Sequence, residues 1–238
     1  MVRARAMIAL VAAVAVAALA VPASAAVRAS AAPTTKLRVF HDSADTPQVD
    51  FYLDGKPFYI PIGFNVLGFY GQGVTQGAHE VEVKLAPSTP ASPNLLARRF
   101  TFGANPVTVA LIGSSRGDGA GLRLVAFNDV ATRLGAVFRV RFVHTVPDAP
   151  AIDVQTRVAG LWAPVVLGLR FGSASGYLVL PGGLNSPIRI TRHLTNQVLL
   201  NLPQVPLEGG KSYSIYLNGF LTPASGSPAI APFGAIDT

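Results

Sequence analysis

The clearest chemical features of this 238-residue chain are two histidine–aspartate clusters, His41/Asp45/Asp50 and His144/Asp148/Asp153. An imidazole spaced this way from two carboxylates offers nitrogen and oxygen donors to a cation, or a base and its partner for moving a proton. The neighbouring residues favour another role. Asp45 and Asp148 precede Thr46-Pro47 and Ala149-Pro150, in a turn where a carboxylate commonly accepts backbone N–H bonds. Each histidine ends an alternating run with core-side parity, which places a ring nitrogen to tie down the adjoining loop. Asp50 and Asp153 have outward parity and are expected to meet Arg38 and Arg141. Duplication also favours scaffolding, because a scaffold must be built twice and a catalytic site need not be. The six residues are therefore expected to form a structural motif, with a ligand site as the alternative. No catalytic or metal-binding residue and no cofactor is expected.

Arg116-Gly117-Asp118 lies in the Gly/Ser-rich loop GSSRGDGAG, residues 113–121. An exposed R-G-D tip is similar to the integrin-binding tripeptide of adhesive proteins, and Gly-Asp is also ordinary turn chemistry. The loop lacks the Lys-Ser/Thr of a phosphate-binding loop. Glutamate occurs only at 80, 82 and 208, with no acidic pair placed for glycoside hydrolysis. There is no G-x-S-x-G elbow, and His79 and His193 stand without ligand spacing. Phe58, Tyr59, Phe69, Tyr70 and Trp162 are candidates for a sugar-binding surface, though such residues more often serve core or edge packing.

The elements that position these residues repeat. Leu37-Arg38-Val39-Phe40-His41 matches Val140-Arg141-Phe142-Val143-His144, and the register continues through Asp45/Asp148, Pro47/Pro150 and Asp50/Asp153. The period within each copy is two: Leu37, Val39 and His41 share one face, Arg38 and Phe40 the other. Such alternation predicts half-buried antiparallel strands. Asp54-Gly55 predicts a two-residue hairpin. Short strands with frequent Gly and Pro turns favour a sandwich.

Basic residues Arg3 and Arg5, the apolar run Met7–Val21 and the tripeptide Ala23-Ser24-Ala25 follow the order of a secretory signal peptide. With no cysteine in the chain, disulfides and thiolate metal sites are impossible. The formal charge of +7 is carried by scattered, mostly arginine residues, which suits anionic envelope polymers or lipid head groups better than nucleic acid.

The second copy reads HTVPDAPAIDV from His144 and FGSASGYLVLPGG from Phe171. It resembles the bacterial exported family of domain of unknown function 4397, whose repeats run H-x-S-P-D-A-P-x-V-D-V-Y-x-D-G and then F-G-x-x-S-G-Y-L-x-L-P-x-G. The first copy keeps His41, Ser43, Asp45, Pro47, Val49, Asp50, Tyr52, Asp54 and Gly55. It departs at Ala44 and Thr46 and, in place of the second motif, has IGFNVLGFY over 62–70. The second copy departs at Val146 and Gln155 and lacks the D-G turn. The resemblance implies exported, tandem β-sandwich-like domains and carries no activity with it.

The expectation is an all-β chain: signal peptide 1–25, linker 26–35, and two tandem antiparallel β-sandwich domains, immunoglobulin-like or similar, over 36–135 and 136–238. The expected role is a secreted or cell-envelope, non-enzymatic binding, adhesive or structural module. A carbohydrate-binding module is the alternative and an unrecognised hydrolase the less favoured one. The expected partner is a macromolecule, an envelope polymer or a protein, with no nucleic acid and no membrane span once the leader is cleaved.

Overall fold

A computed structural model describes residues 31–237 apart from 72, 131–134, 136, 181–186 and 203–206. The expected signal peptide, half of the linker and part of the junction between the copies lie outside the described residues. From Ala32 onward the chain forms one compact unit, with strands and no helix among the described residues.

Each copy contributes two main sheets and shares neither with the other copy; the first adds a two-stranded ladder of Thr34–Thr35 with Val74–Thr75. In the first, one sheet runs Arg123–Asn128, Val107–Ile112, Leu37–Asp42, Val66–Leu67; the second runs Lys56–Ile62, Val49–Leu53, Gly77–Leu85, Leu96–Phe102. The second copy repeats the plan. Ser173–Ala174 and Leu178–Leu180 flank Phe138–His144, followed by Ser212–Asn218 and Ala231–Ile236. The companion sheet is Leu161–Leu169, Ile152–Val158, Ile188–Arg192, Val198–Leu202. Within each copy the sheets face one another across an apolar core. Leu37, Val39 and Val109 meet Val49, Phe51 and Val83 in the first; Phe138, Val140 and Ile215 meet Ile152, Val154 and Ile190 in the second.

All pairings between these strands are antiparallel except one in each copy. Leu37–Asp42 runs parallel to Val107–Ile112, and Phe138–His144 parallel to Ser212–Asn218. A parallel pair requires a long crossover, and here the crossover is the companion sheet itself. The hairpin at 54–55 forms with φ of 50° at Asp54 and 74° at Gly55. Where the second copy lacks Asp-Gly, Ala159 and Gly160 make the same turn, at φ 50° and 82°.

The alternation has the expected parity, but the expected half-burial does not hold. Leu37–Asp42, Val107–Ile112 and Ser212–Asn218 are buried on both faces, because each copy's first-strand sheet packs its other face against that of its neighbour. Phe40, Ile112 and Phe127 of the first copy meet Val143, Tyr216 and Ala235 of the second, with Phe233 stacked on Phe40. The result is four layers, two inner and two outer sheets. At about 1.5–3 kcal/mol for each large apolar side chain removed from water, this third core is a substantial share of what holds the unit together.

Candidate functional site

The two histidines lie at the ends of inner-sheet strands, His144 as the last residue and His41 as the last but one, and are fully buried. His41 Nε2 donates to the Pro47 carbonyl at 2.9 Å, and its Nδ1 accepts the Ser43 N–H at 3.4 Å. His144 repeats both contacts, with Pro150 at 3.0 Å and Val146 N–H at 3.3 Å. Those roles fit a neutral ring protonated on Nε2, and burial lowers the pKa of both rings. Each ring is a clamp on its own turn, with neither nitrogen free for a ligand or a proton.

Asp45 and Asp148 act at longer range than their place in a turn suggests. Asp45 accepts the backbone N–H groups of Ser115 and Arg116 and the Ser114 hydroxyl, at 2.9, 3.1 and 2.6 Å. Asp148 accepts from Leu221 N, Thr222 N and Thr222 Oγ1, each at 2.7 Å. Each carboxylate thus anchors the loop that follows the parallel partner strand. Partial burial pushes both carboxyls up, but these hydrogen bonds more than offset it and hold them below the usual carboxylate range.

Asp50 and Asp153 do not meet Arg38 and Arg141, and they are buried. They lie on outer-sheet strands, whereas both arginines lie on inner ones. Asp50 accepts the Ser88 N–H and hydroxyl at 2.8 and 2.6 Å, tying down the Pro/Ser-rich loop at 86–94. Asp153 accepts Gly168 N–H and faces His193 Nδ1, both at 2.7 Å. His193 therefore has a carboxylate partner that its isolation in the sequence hid, as has His79, 2.7 Å from Asp54. His193 Nε2 has no hydrogen-bond partner among the described residues. No three His, Asp or Glu side chains among the described residues gather as a metal site.

Arg116, Gly117 and Asp118 are exposed, at the tip of the loop that Asp45 anchors. Farther along, Ala120 N–H donates to Pro147 O of the second copy at 2.9 Å. The aromatic candidates are dispersed: Phe58 and Tyr59 pack on the first core, Phe69 is exposed, and Tyr70 donates to Asp129 at 2.7 Å. Trp162 lies under two guanidinium groups, Arg189 at 4.3 Å and Arg157 at 5.3 Å from its ring centre.

The largest polar constellation is one the sequence reading missed. Arg38 of the first copy pairs with Asp237 of the second at 2.5 Å and donates to the Ile236 carbonyl at 2.8 Å. Arg141 of the second pairs with Asp129 of the first and donates to the Asn128 carbonyl at 2.7 Å. Each aspartate also accepts from its own copy: Asp129 from Thr108 and Tyr70, Asp237 from Ser214 and Tyr177. Arg38, Thr108, Tyr70 and Asp129 correspond to Arg141, Ser214, Tyr177 and Asp237, so the copies exchange equivalent charges across a quasi-two-fold interface. All four charged groups are buried, which makes the network a lock, with no open face for substrate.

The family model described as Domain of unknown function (DUF4397) matches residues 35–155 and again residues 139–233. The chain belongs to this family. The two DUF4397 matches overlap over the strand and motif with which the second copy opens, where His144 and Asp148 lie. No curated protein matches the chain. In this DUF4397 chain the recurrent His and Asp positions hold turns and loops, His41, His144, Asp45 and Asp148 beside the inner sheets and Asp50 and Asp153 on the outer ones.

Proposed function

We propose that the chain is an exported, non-enzymatic binding module, secreted or held at the cell envelope, in which two sandwich domains work as one rigid body. The observation that carries this reading is the occupancy of the duplicated acid–base groups. Both histidine rings and all four recurrent aspartates make hydrogen bonds within the fold, leaving surface faces and loop tips as the parts able to meet another molecule. The exposed Arg116–Asp118 tip supports an adhesive contact. The leader-like N-terminus supports export, and the excess of arginine supports an anionic envelope partner. A rigid pair of domains presents two surfaces at fixed separation, so weak contacts reinforce one another.

The test is expression of the full chain in a bacterial host, followed by mass spectrometry and sedimentation with isolated envelopes. The expected product is exported, begins at Ala26 and sediments with the envelope fraction. An intact leader on protein retained inside the cell, or no sedimentation with any envelope fraction, overturns the reading.

A further inference from the structure

The two copies differ at the hairpin that leads out of the first outer-sheet strand. In the first copy its tip is polar. Asp54 accepts the Glu80 N–H at 2.9 Å and faces His79, and Lys56 follows the turn. The adjoining sheet face is covered as well: Lys84 donates to the Pro90 and Ser92 carbonyls of the 86–94 loop, and Ser88 hydrogen-bonds to Tyr52. Among its described residues the second copy has neither feature. Its tip reads Val158-Ala159-Gly160-Leu161, with Val158 57% and Leu161 75% exposed as direct cross-strand partners. The connection between Ile188–Arg192 and Val198–Leu202 is five residues long and supplies no cover comparable to the 86–94 loop.

One step behind the apolar tip, Arg157 pairs across the hairpin with Trp162. Arg189, on the next strand, stacks on the same indole. Arg189 Nε is held at 2.8 Å by Gln155 Oε1, and Gln155 Nε2 in turn reaches Thr191 at 3.3 Å. The guanidinium is thus fixed by its Nε, and its other nitrogens have no hydrogen-bond partner among the described residues. Neither Arg157 nor Arg189 has a carboxylate within ion-pair distance among those residues. The four acidic residues from 137 onward, Asp148, Asp153, Glu208 and Asp237, are engaged with the 221–222 loop, His193, Lys211 and Arg38 respectively.

An exposed aliphatic pair, an indole behind it and uncompensated arginines beside the indole match the three depths of a lipid surface. Aliphatic groups enter the acyl boundary, tryptophan lies at head-group level, and cations meet phosphates. We propose that this hairpin docks the protein on anionic phospholipid membranes. Val158 and Leu161 insert, Trp162 lies at the interface, and Arg157 and Arg189 contact lipid phosphates. The proposal rests on the reading of the chain as an envelope-binding module and names the surface and the partner. An anionic polysaccharide accounts for the arginines and leaves the exposed Val158–Leu161 pair unexplained.

Trp162 is the only tryptophan in the chain, so its emission reports this site directly. The full chain is titrated with vesicles of phosphatidylcholine alone and of phosphatidylcholine mixed with phosphatidylglycerol. The expected result is a blue shift of Trp162 emission and co-sedimentation with the anionic vesicles only, both reversed by salt. Leu161→Asp and the pair Arg157→Gln/Arg189→Gln each weaken binding by about tenfold or more. Phe69→Asp, which removes an apolar ring 88% exposed on the first copy, leaves binding unchanged. Circular dichroism of every variant checks that it is folded. Unshifted emission with anionic vesicles, undiminished binding by folded Leu161→Asp, or a response to soluble polygalacturonate in place of vesicles overturns the proposal. Sedimentation with envelopes that survives Leu161→Asp sinks the hairpin and leaves the broader reading standing.

Discussion

At the scale of single residues, Asp42 is the group whose placement is hardest to reconcile with stability. It ends the first inner strand, fully buried, and neither carboxylate oxygen has a hydrogen bond of good geometry. Burial pushes its pKa from an ordinary 3.8 up to about 8, only partly offset by the Thr145 and Asn218 side chains of the second copy. The sign follows from linkage. Between about pH 4 and pH 8 the folded chain keeps a proton that the unfolded chain releases, so the Asp42 contribution falls as pH rises and is constant above 8. The buried histidines have the opposite sense, their contribution being lost as pH drops below about 6.5. A neutral isostere isolates the first effect. The gain in melting temperature of Asp42→Asn over the natural chain is expected to widen from pH 4 to pH 8 and then stay constant. A difference that does not change with pH would mean the carboxyl is ionised when folded. The second copy has Thr145 where the first has Asp42, so the cost is not intrinsic to the fold.

At the scale of elements, what could be read from the sequence divides by the range of the forces involved. Strand parity, the Asp54-Gly55 hairpin and the histidine clamps were legible, because alternation, turn chemistry and an i to i+6 contact are local. The strand Ala231–Ile236 was not anticipated: APFGAI carries a proline and a glycine and hides the alternation, and its place is fixed by pairing with Ser212–Asn218. The reach of Asp45 and Asp148 to loops about 70 residues away was equally hidden, since an aspartate before a proline reads as a local turn. The consequence can be measured. Asp148→Ala removes the acceptor of two backbone N–H groups and one hydroxyl, and is expected to cost about 1–3 kcal/mol. Amide exchange should speed up at Leu221 and Thr222 while the 144–150 turn, held by His144, keeps its protection. Faster exchange confined to 144–150 would restore the local reading.

At the scale of the whole molecule, the inner faces decide how the copies behave. Arg38 and Arg141 looked like solvent-facing residues because outward parity normally means water. Here outward means toward the other copy. The available signal was recurrence: Arg38/Arg141, Thr108/Ser214, Tyr70/Tyr177 and Asp129/Asp237 repeat at nearly the spacing of the copies, and a charge duplicated with its partners marks a shared interface better than a charge alone. A buried ion pair is costly to break and adds little over an apolar replacement of similar size. Asp237→Asn therefore takes from Arg38 its nearer counter-charge, leaving only Asp129 at 3.6 Å, and is expected to lose up to about 3–5 kcal/mol, whereas Arg38→Met with Asp237→Leu recovers most of that loss. Because Phe40, Tyr216 and Phe233 pack in the same interface, the two copies should unfold together. Trp162 fluorescence, which reports the second copy, should then trace the same denaturant transition as circular dichroism of both. In Asp237→Asn the two curves should separate, as weakened coupling lets one sandwich melt before the other. Coincident curves in that variant would mean that the aromatic contacts alone hold the copies together.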